Sequence, residues 1–229
     1  MIKRHIPNLL TITNLLLGFF AILIADLYTS SILICCALLF DLFDGMTARM
    51  LNVQSEIGKQ LDSLADMVSF GIAPAYLYFT LNDQHSIWYM FPSGVYAACA
   101  GLRLAKFNIL PGSPYFIGLP SPTGAIFMIG IFLTHQFDNE YVEQLFDIPY
   151  LYSSVPILIG FLMISNIRMF SIKSMERGVW KNRFHIATLL IFIVLLMTKT
   201  KLALSFSVIA YVILSLLQTV VLKRKAKGF

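Results

Sequence analysis

Eight apolar runs limit what this chain can become. They fall at roughly 8–26, 30–50, 61–81, 86–109, 117–136, 150–170, 184–198 and 202–222. A helix needs about 20 residues to cross about 30 Å of hydrocarbon, and most of these runs approach that length. Lipid offers no water to an open backbone, so each run is predicted to be helical. The alternating ~10-residue pattern of a membrane barrel is missing from the sequence. The seventh run is short and polar residues interrupt the third, so six spans plus two peripheral helices is the fallback. The expected fold class is all-α: a polytopic transmembrane helical bundle, forming one integral membrane domain over 1–229.

Composition and charge agree. The chain is 58% hydrophobic and 13% charged, where soluble domains carry about 25% charged residues. The net charge of +5 comes from Lys and Arg placed almost wholly between the runs. Lys3 and Arg4 precede the first. Arg49 and Lys59 follow the second, Arg103 and Lys106 end the fourth, and Arg168, Lys173, Arg177, Lys181 and Arg183 follow the sixth. Lys223, Arg224, Lys225 and Lys227 come last. If eight helices alternate, all of these share one side, opposite Asp26, Asp83, Asp138, Glu140, Glu143 and Asp147. Lys199 and Lys201 break the pattern. The positive-inside rule then places both termini in the cytoplasm.

Other classes find little support. No basic face is interleaved with aromatics, which argues against nucleic-acid binding. The four His lie far apart and form no HExxH, so no His-based metal site is expected. Cys35, Cys36 and Cys99 sit inside apolar runs without a CxxC and read as small core residues. The N-terminal segment lacks a small-residue cleavage site before a polar domain, so it reads as an uncleaved first membrane helix.

Four acids stand at or inside the ends of apolar runs: Asp41, Asp44, Asp62 and Asp66. One Asp at membrane depth costs about 2.5–3.5 kcal/mol on insertion scales, and four together repel. Divalent cations, which prefer carboxylate oxygens, remove both difficulties. Asp41 and Asp44 are three apart and share a helical face; Asp62 and Asp66 are four apart and do the same. The link between the two runs is short, so antiparallel packing can gather all four. Gly45 and Ala48 lie one and two turns beyond Asp41 and leave room for a phosphate or a base. Arg49 can pair with phosphate oxygens. Gly58, one turn before Asp62, can keep the helix crossing open.

This pattern resembles the signature of the CDP-alcohol phosphotransferase family. Asp41-Leu-Phe-Asp44-Gly45-Met-Thr-Ala48-Arg49, eight residues, Gly58, three residues, Asp62, three residues, Asp66 matches it at every fixed position. The resemblance implies that Asp41, Asp44, Asp62 and Asp66 bind two divalent metals, Mg²⁺ or Mn²⁺, and that Asp66 is also the base for the acceptor hydroxyl. Pro7-Asn8-Leu-Leu-Thr11 is similar to the family's first helix, which implies that Asn8 and Thr11 join Gly45, Ala48, Arg49 and Gly58 around the CDP diphosphate. The family also implies a homodimer among membrane lipids.

The stretch from Ser55 to Ala75, together with Arg103-Leu-Ala-Lys106-Phe-Asn108 and Gly118-Leu-Pro120-Ser121-Pro122, looks like the matching parts of bacterial and archaeal phosphatidylserine synthases. That likeness implies CDP-diacylglycerol as donor and L-serine as acceptor, in a bacterial or archaeal-type cell membrane. It extends over about 5–175, a six-helix core; residues 184–222 match only in type and read as additional C-terminal membrane helices. Serine carries a carboxylate and an ammonium. Arg103, Lys106 and Arg168 are candidates for the carboxylate, and Asn108 and Ser121 for a polar pocket. Pro120 and Pro122 are expected to bend or start the fifth helix. Three rivals remain open: the same chemistry on glycerol 3-phosphate, inositol phosphate or choline; a cation-coupled transporter, which should show internal repeats; and an inactive protein of the same fold.

Overall fold

The computed structural model describes residues 5–81, 87–109, 116–146, 150–169, 188, 190–191, 193–195 and 202–226. Most of the 184–198 run and the basic residues Lys3, Arg4, Lys173, Arg177, Lys181, Arg183, Lys199, Lys201 and Lys227 lie outside these, as do Asp83 and Asp147. The fold is mostly helical. Helix α1 is His5–Ile24 and α2 is Leu27–Met50. Helix α3, Glu56–Asp66, passes through a π-helical stretch, Met67–Ile72, into α4, Ala73–Thr80. Then follow α5 (Ile87–Ile109), α6 (Ser121–Phe137), the short α7 (Asn139–Phe146), α8 (Leu151–Ile164) and α9 (Ala203–Ala226). The all-α expectation holds, with strand among the described residues confined to a two-residue ribbon in which β1 (Phe116–Ile117) pairs antiparallel with β2 (Arg168–Met169). Its cause is local: Leu119 N–H also donates to the Leu162 carbonyl at 2.9 Å, satisfying the open end of α8.

By length and composition, α1 and α2 can each cross a membrane. They pack as an antiparallel pair, and α1 buries Pro7, Thr11, Asn14, Gly18 and Ala21 toward α2 and the segment that follows α3. These small and polar residues recur at spacings of three and four, so they form one stripe along which another helix can approach closely. The opposite faces carry exposed Leu9, Leu16, Phe19, Ile32, Leu39 and Leu42, as lipid contact requires. Cys35 belongs to that outer face and is exposed, contrary to the core reading; Cys36 is half-buried and Cys99 buried as expected. The cause is α2's rotation, which turns Ile34 and Ala37 inward.

Caps fix the turns beside the site. Asp26 accepts from Thr29 N–H at 2.8 Å and starts α2. At its far end Asn52 takes a left-handed φ of 51°, Val53 N–H donates to the Ala48 carbonyl and Asn52 N–H to that of Arg49. These are the two bonds of a Schellman stop. Ser55 then caps α3 by accepting from Gly58 N–H at 3.0 Å. Five residues thus reverse the chain.

Prolines interrupt the helical ladder at Pro74, Pro92 and Pro156, and buried tyrosines repair the first and the last. Pro74 has no N–H for the Phe70 carbonyl four residues back, which accepts instead from Tyr96 Oη at 3.0 Å. Pro156 likewise frees the Tyr152 carbonyl, which accepts from Tyr78 Oη at 2.8 Å; Tyr152 Oη returns a bond to the Tyr78 carbonyl at 2.7 Å. The first repair adjoins the π-helical stretch, where Ala73 N–H reaches Val68 O. Pro120 and Pro122 start α6, as expected.

The two ends of the bundle differ. One collects basic residues: Lys59 Nζ donates to the Asn108 carbonyl at 2.9 Å, Lys106 Nζ to Asn166 Oδ1 at 3.2 Å, and Thr219 Oγ1 to the Arg168 carbonyl at 3.2 Å. The other is aromatic and polar, with Tyr28 edge-on to Phe137 at 5.7 Å.

Candidate active site

The basic end also holds the aspartates. Asp41 projects from the last turns of α2, and Asp62 and Asp66 from α3. One carboxylate oxygen from each lies within 4.8 Å of the others. The helical spacings make this possible, and the short 51–55 turn brings the two pairs face to face. Asp44 stands outside this trio but within its electrostatic field. It is buried, and Thr11 Oγ1 lies 2.6 Å from its Oδ2. The same hydroxyl is 3.0 Å from the Pro7 carbonyl; with one proton to give, it favours the nearer, charged acceptor.

The trio is an incomplete arrangement by itself. Three carboxylates facing one another repel, and the buried Asp62 Oδ1 makes no hydrogen bond among the described residues. A hard cation with oxygen preference satisfies both conditions, so the residues present fit a bound Mg²⁺ or Mn²⁺.

The other expected residues divide into groups. Asn8 and Gly58 meet across α1 and α3: a Cβ on Gly58 would stand 3.2 Å from Asn8 Oδ1. Gly45 opens to free space apart from Arg49 Nη2, 3.9 Å from where its Cβ would be. Ala48 is half-buried and Arg49 exposed. Arg103 is buried in α5 and donates from Nη1 to Ser121 Oγ at 2.8 Å, with Asp66 in electrostatic reach. Asn108 Nδ2 donates to Ser63 Oγ at 2.8 Å. Lys106 and Arg168 are exposed on the rim. The structure therefore sets Arg103 and Ser121 beside the acids and engages Lys106 and Asn108 elsewhere.

Two residues were missed. Asn14 is fully buried, with Nδ2 3.5 Å from Asp66 Oδ1. Ser69, in the π-helical stretch, donates to the Asn14 carbonyl at 2.8 Å. Gly18 permits this approach, because a Cβ there would stand 2.6 Å from Ser69 Cα. The signal was available: an Asn three residues after Thr11 within an apolar run shares its face.

Comparison with known proteins reaches the same place. Residues 4–159 match the model of the CDP-alcohol phosphatidyltransferase family. The CDP-diacylglycerol–serine O-phosphatidyltransferase of Methanocaldococcus jannaschii is 39% identical over 163 residues, 71% of this chain and 72% of that one. The protein of that name from Helicobacter pylori is 33% identical over 219 residues, covering 93% and 90%. That from Bacillus subtilis is 31% identical over 192 residues, covering 77% and 99%. With every acid of the motif at one end of the helix pair and two thirds of its length matched, the chain belongs to the CDP-alcohol phosphatidyltransferase family.

Proposed function

We propose that this chain transfers a phosphatidyl group from CDP-diacylglycerol to L-serine, giving phosphatidylserine and CMP. The observation that carries the chemistry is the convergence of Asp41, Asp62 and Asp66. The acceptor is argued from the names of the relatives above.

In this reading Asp41, Asp44, Asp62 and Asp66 hold two divalent ions, Mg²⁺ or Mn²⁺. When bound, such ions neutralise diphosphate charge and align attacking and leaving oxygens. The chain's own groups do the rest. Asn8, Thr11, Gly45, Ala48, Arg49 and Gly58 border the space for the CDP diphosphate, with Arg49 pairing its oxygens and Thr11 fixing Asp44. Asp66 takes the proton of the serine hydroxyl. That oxygen bonds to the phosphorus carrying the diacylglycerol, the bond from this phosphorus to the CMP oxygen breaks, and CMP leaves. Arg103 and Ser121 face the acceptor, while Lys106, Asn108 and Arg168 line its approach.

The membrane reading extends the two apolar helices to eight spans in a multi-pass bundle, with 5–175 as the core and 184–222 as added C-terminal helices. The end bearing Lys59, Lys106, Arg168 and the aspartates faces the cytoplasm, as do both termini. Lipid donor then enters sideways from the inner leaflet. The enzyme works as a homodimer.

The test uses purified protein in detergent with CDP-diacylglycerol, Mg²⁺ or Mn²⁺ and labelled L-serine. Parallel tubes hold glycerol 3-phosphate, inositol phosphate or choline. Serine-dependent CMP release into a labelled lipid, abolished by chelation, is the expected result. Release only with another alcohol replaces the acceptor; no release with any alcohol from folded protein rejects the enzyme.

A further inference from the structure

Every acid of the site lies within 4–159, the region shared across the family, and the shared motif does not itself choose an acceptor. Helix α9 lies outside that region. It is apolar in the main, yet Ser205, Ser207, Tyr211, Ser215, Gln218 and Thr219 interrupt it. Polar side chains in a membrane helix turn inward, and Ser205, Ser207 and Ser215 are buried.

Two bonds set the height of α9: Leu202 N–H donates to Thr134 Oγ1 at 3.1 Å, and Ser205 Oγ to the Phe127 carbonyl at 2.8 Å. Thr219 Oγ1 shares its one proton between the Ser215 carbonyl at 3.0 Å and the Arg168 carbonyl at 3.2 Å. Helix α9 therefore runs antiparallel to α6, close enough that a Cβ on Gly130 would strike Ser205 N at 2.7 Å. Six residues beyond Ser205 and six before Phe127, Tyr211 comes level with Ser121. Ser121 accepts from Arg103. Tyr211 lies within electrostatic reach of Arg103 and against Ser215. Arg103 is only 8% exposed, and its Nε, like Gln218 Oε1, makes no hydrogen bond among the described residues. A buried guanidinium with an unfilled donor is costly unless an anion arrives to take it.

We propose that α9 is the acceptor-selecting wall of the active site: Tyr211 and Ser215, with Arg103 and Ser121, hold the charged end of an amino-acid alcohol whose hydroxyl faces Asp66. The inference rests on the serine reading above. The planar guanidinium suits the carboxylate. The hydroxyls of Tyr211 and Ser215 supply oxygens for the ammonium.

The full-length protein in detergent is assayed as Tyr211→Phe and Ser215→Ala, with KM measured separately for L-serine and CDP-diacylglycerol. Loss of one hydrogen bond to a charged group raises the serine KM about tenfold, while kcat and the donor KM stay within about twofold of the parent. Ile213→Val, on the exposed face of α9, leaves all three unchanged. An unchanged serine KM in both polar variants overturns the wall. So does an equal rise in both KM values with a lowered unfolding temperature, which marks α9 as structural support alone. The parent is run in parallel with glycerol 3-phosphate, inositol phosphate and choline. If it turns over only one of these, the serine reading and the amino-acid pocket fall together. If it turns over serine, the two variants decide the wall by themselves.

Discussion

The α2–α3 hairpin and helix α9 approach the same site by different physical routes. In the hairpin, four acids and three small residues at helical spacings converge across a five-residue turn, and nearly all of that is set by local geometry. In α9, single polar residues acquire meaning only through its register against α6, which is fixed by Thr134 and Phe127 far away in sequence. In the proposed function, the first region carries the chemistry and lies within the matched 4–159. The second lies beyond that match. Chemistry should therefore fail in the hairpin, and selection in α9.

The sharpest test is Asp66→Asn. If Asp66 takes the acceptor proton, turnover falls by about 10³-fold, in the range of a lost general base, with both KM values little changed. CMP release under saturating donor and serine measures it; near-normal turnover removes Asp66 from that role and breaks the comparison at its first term. Asp41→Asn comes next. It removes one of the three converging carboxylates, so in the proposed reading the metal concentration for half-maximal rate should rise by about 100-fold. A metal titration identical to the parent's would mean that Asp41 holds no ion.

Those two residues were readable in advance for a physical reason. A carboxylate at the end of an apolar run is costly, and the spacings of three and four put each pair on one face. Helix positions were readable too, since the apolar runs align with α1, α2, α3–α4, α5, α6, α8 and α9. The ribbon of β1 and β2 was not, because two-residue strands leave no periodic trace. Nor was the engagement of Lys106 and Asn108 by Asn166 and Ser63, which depends on how α5 meets two other segments. Cys35 was misplaced because an apolar run does not say which of its faces is lipid and which is protein. Asn14 could have been found by extending the Pro7–Thr11 spacing one more step.

Thr11→Val tests the border between the two regions. The substitution keeps the branched shape and removes the hydroxyl 2.6 Å from Asp44. Residues that orient a metal ligand are typically worth 10–100-fold in metal affinity or activity. The low end applies, because Asp44 stays in place by helix geometry. The half-saturating metal concentration should rise about tenfold, with the serine KM within about twofold. A rise confined to the serine KM would assign Thr11 to the acceptor side and erase the division proposed here.

The smallest effect belongs to the opposite end of the bundle, and it checks that the site end is separable. Asp26 caps α2, and the Thr29 N–H donated to its carboxylate holds its pKa below the usual carboxylate value. A depressed folded value contributes stability above the unfolded pKa of about 3.9, and that contribution is lost as pH falls through the folded value. Asp26→Asn keeps a capping oxygen but cannot titrate. Its unfolding temperature should lie slightly below the parent's near pH 7, and the gap should close on acidification below pH 4. Because α2 connects this cap to Asp41 and Asp44 along its length, fraying here tests whether the helix transmits disorder to the acids. Turnover within twofold of the parent at pH 7 is the expected outcome, since α1 and α3 hold the far end independently through Thr11 and the 51–55 turn. A larger loss would show that the hairpin's chemistry depends on long-range register after all, as α9 does.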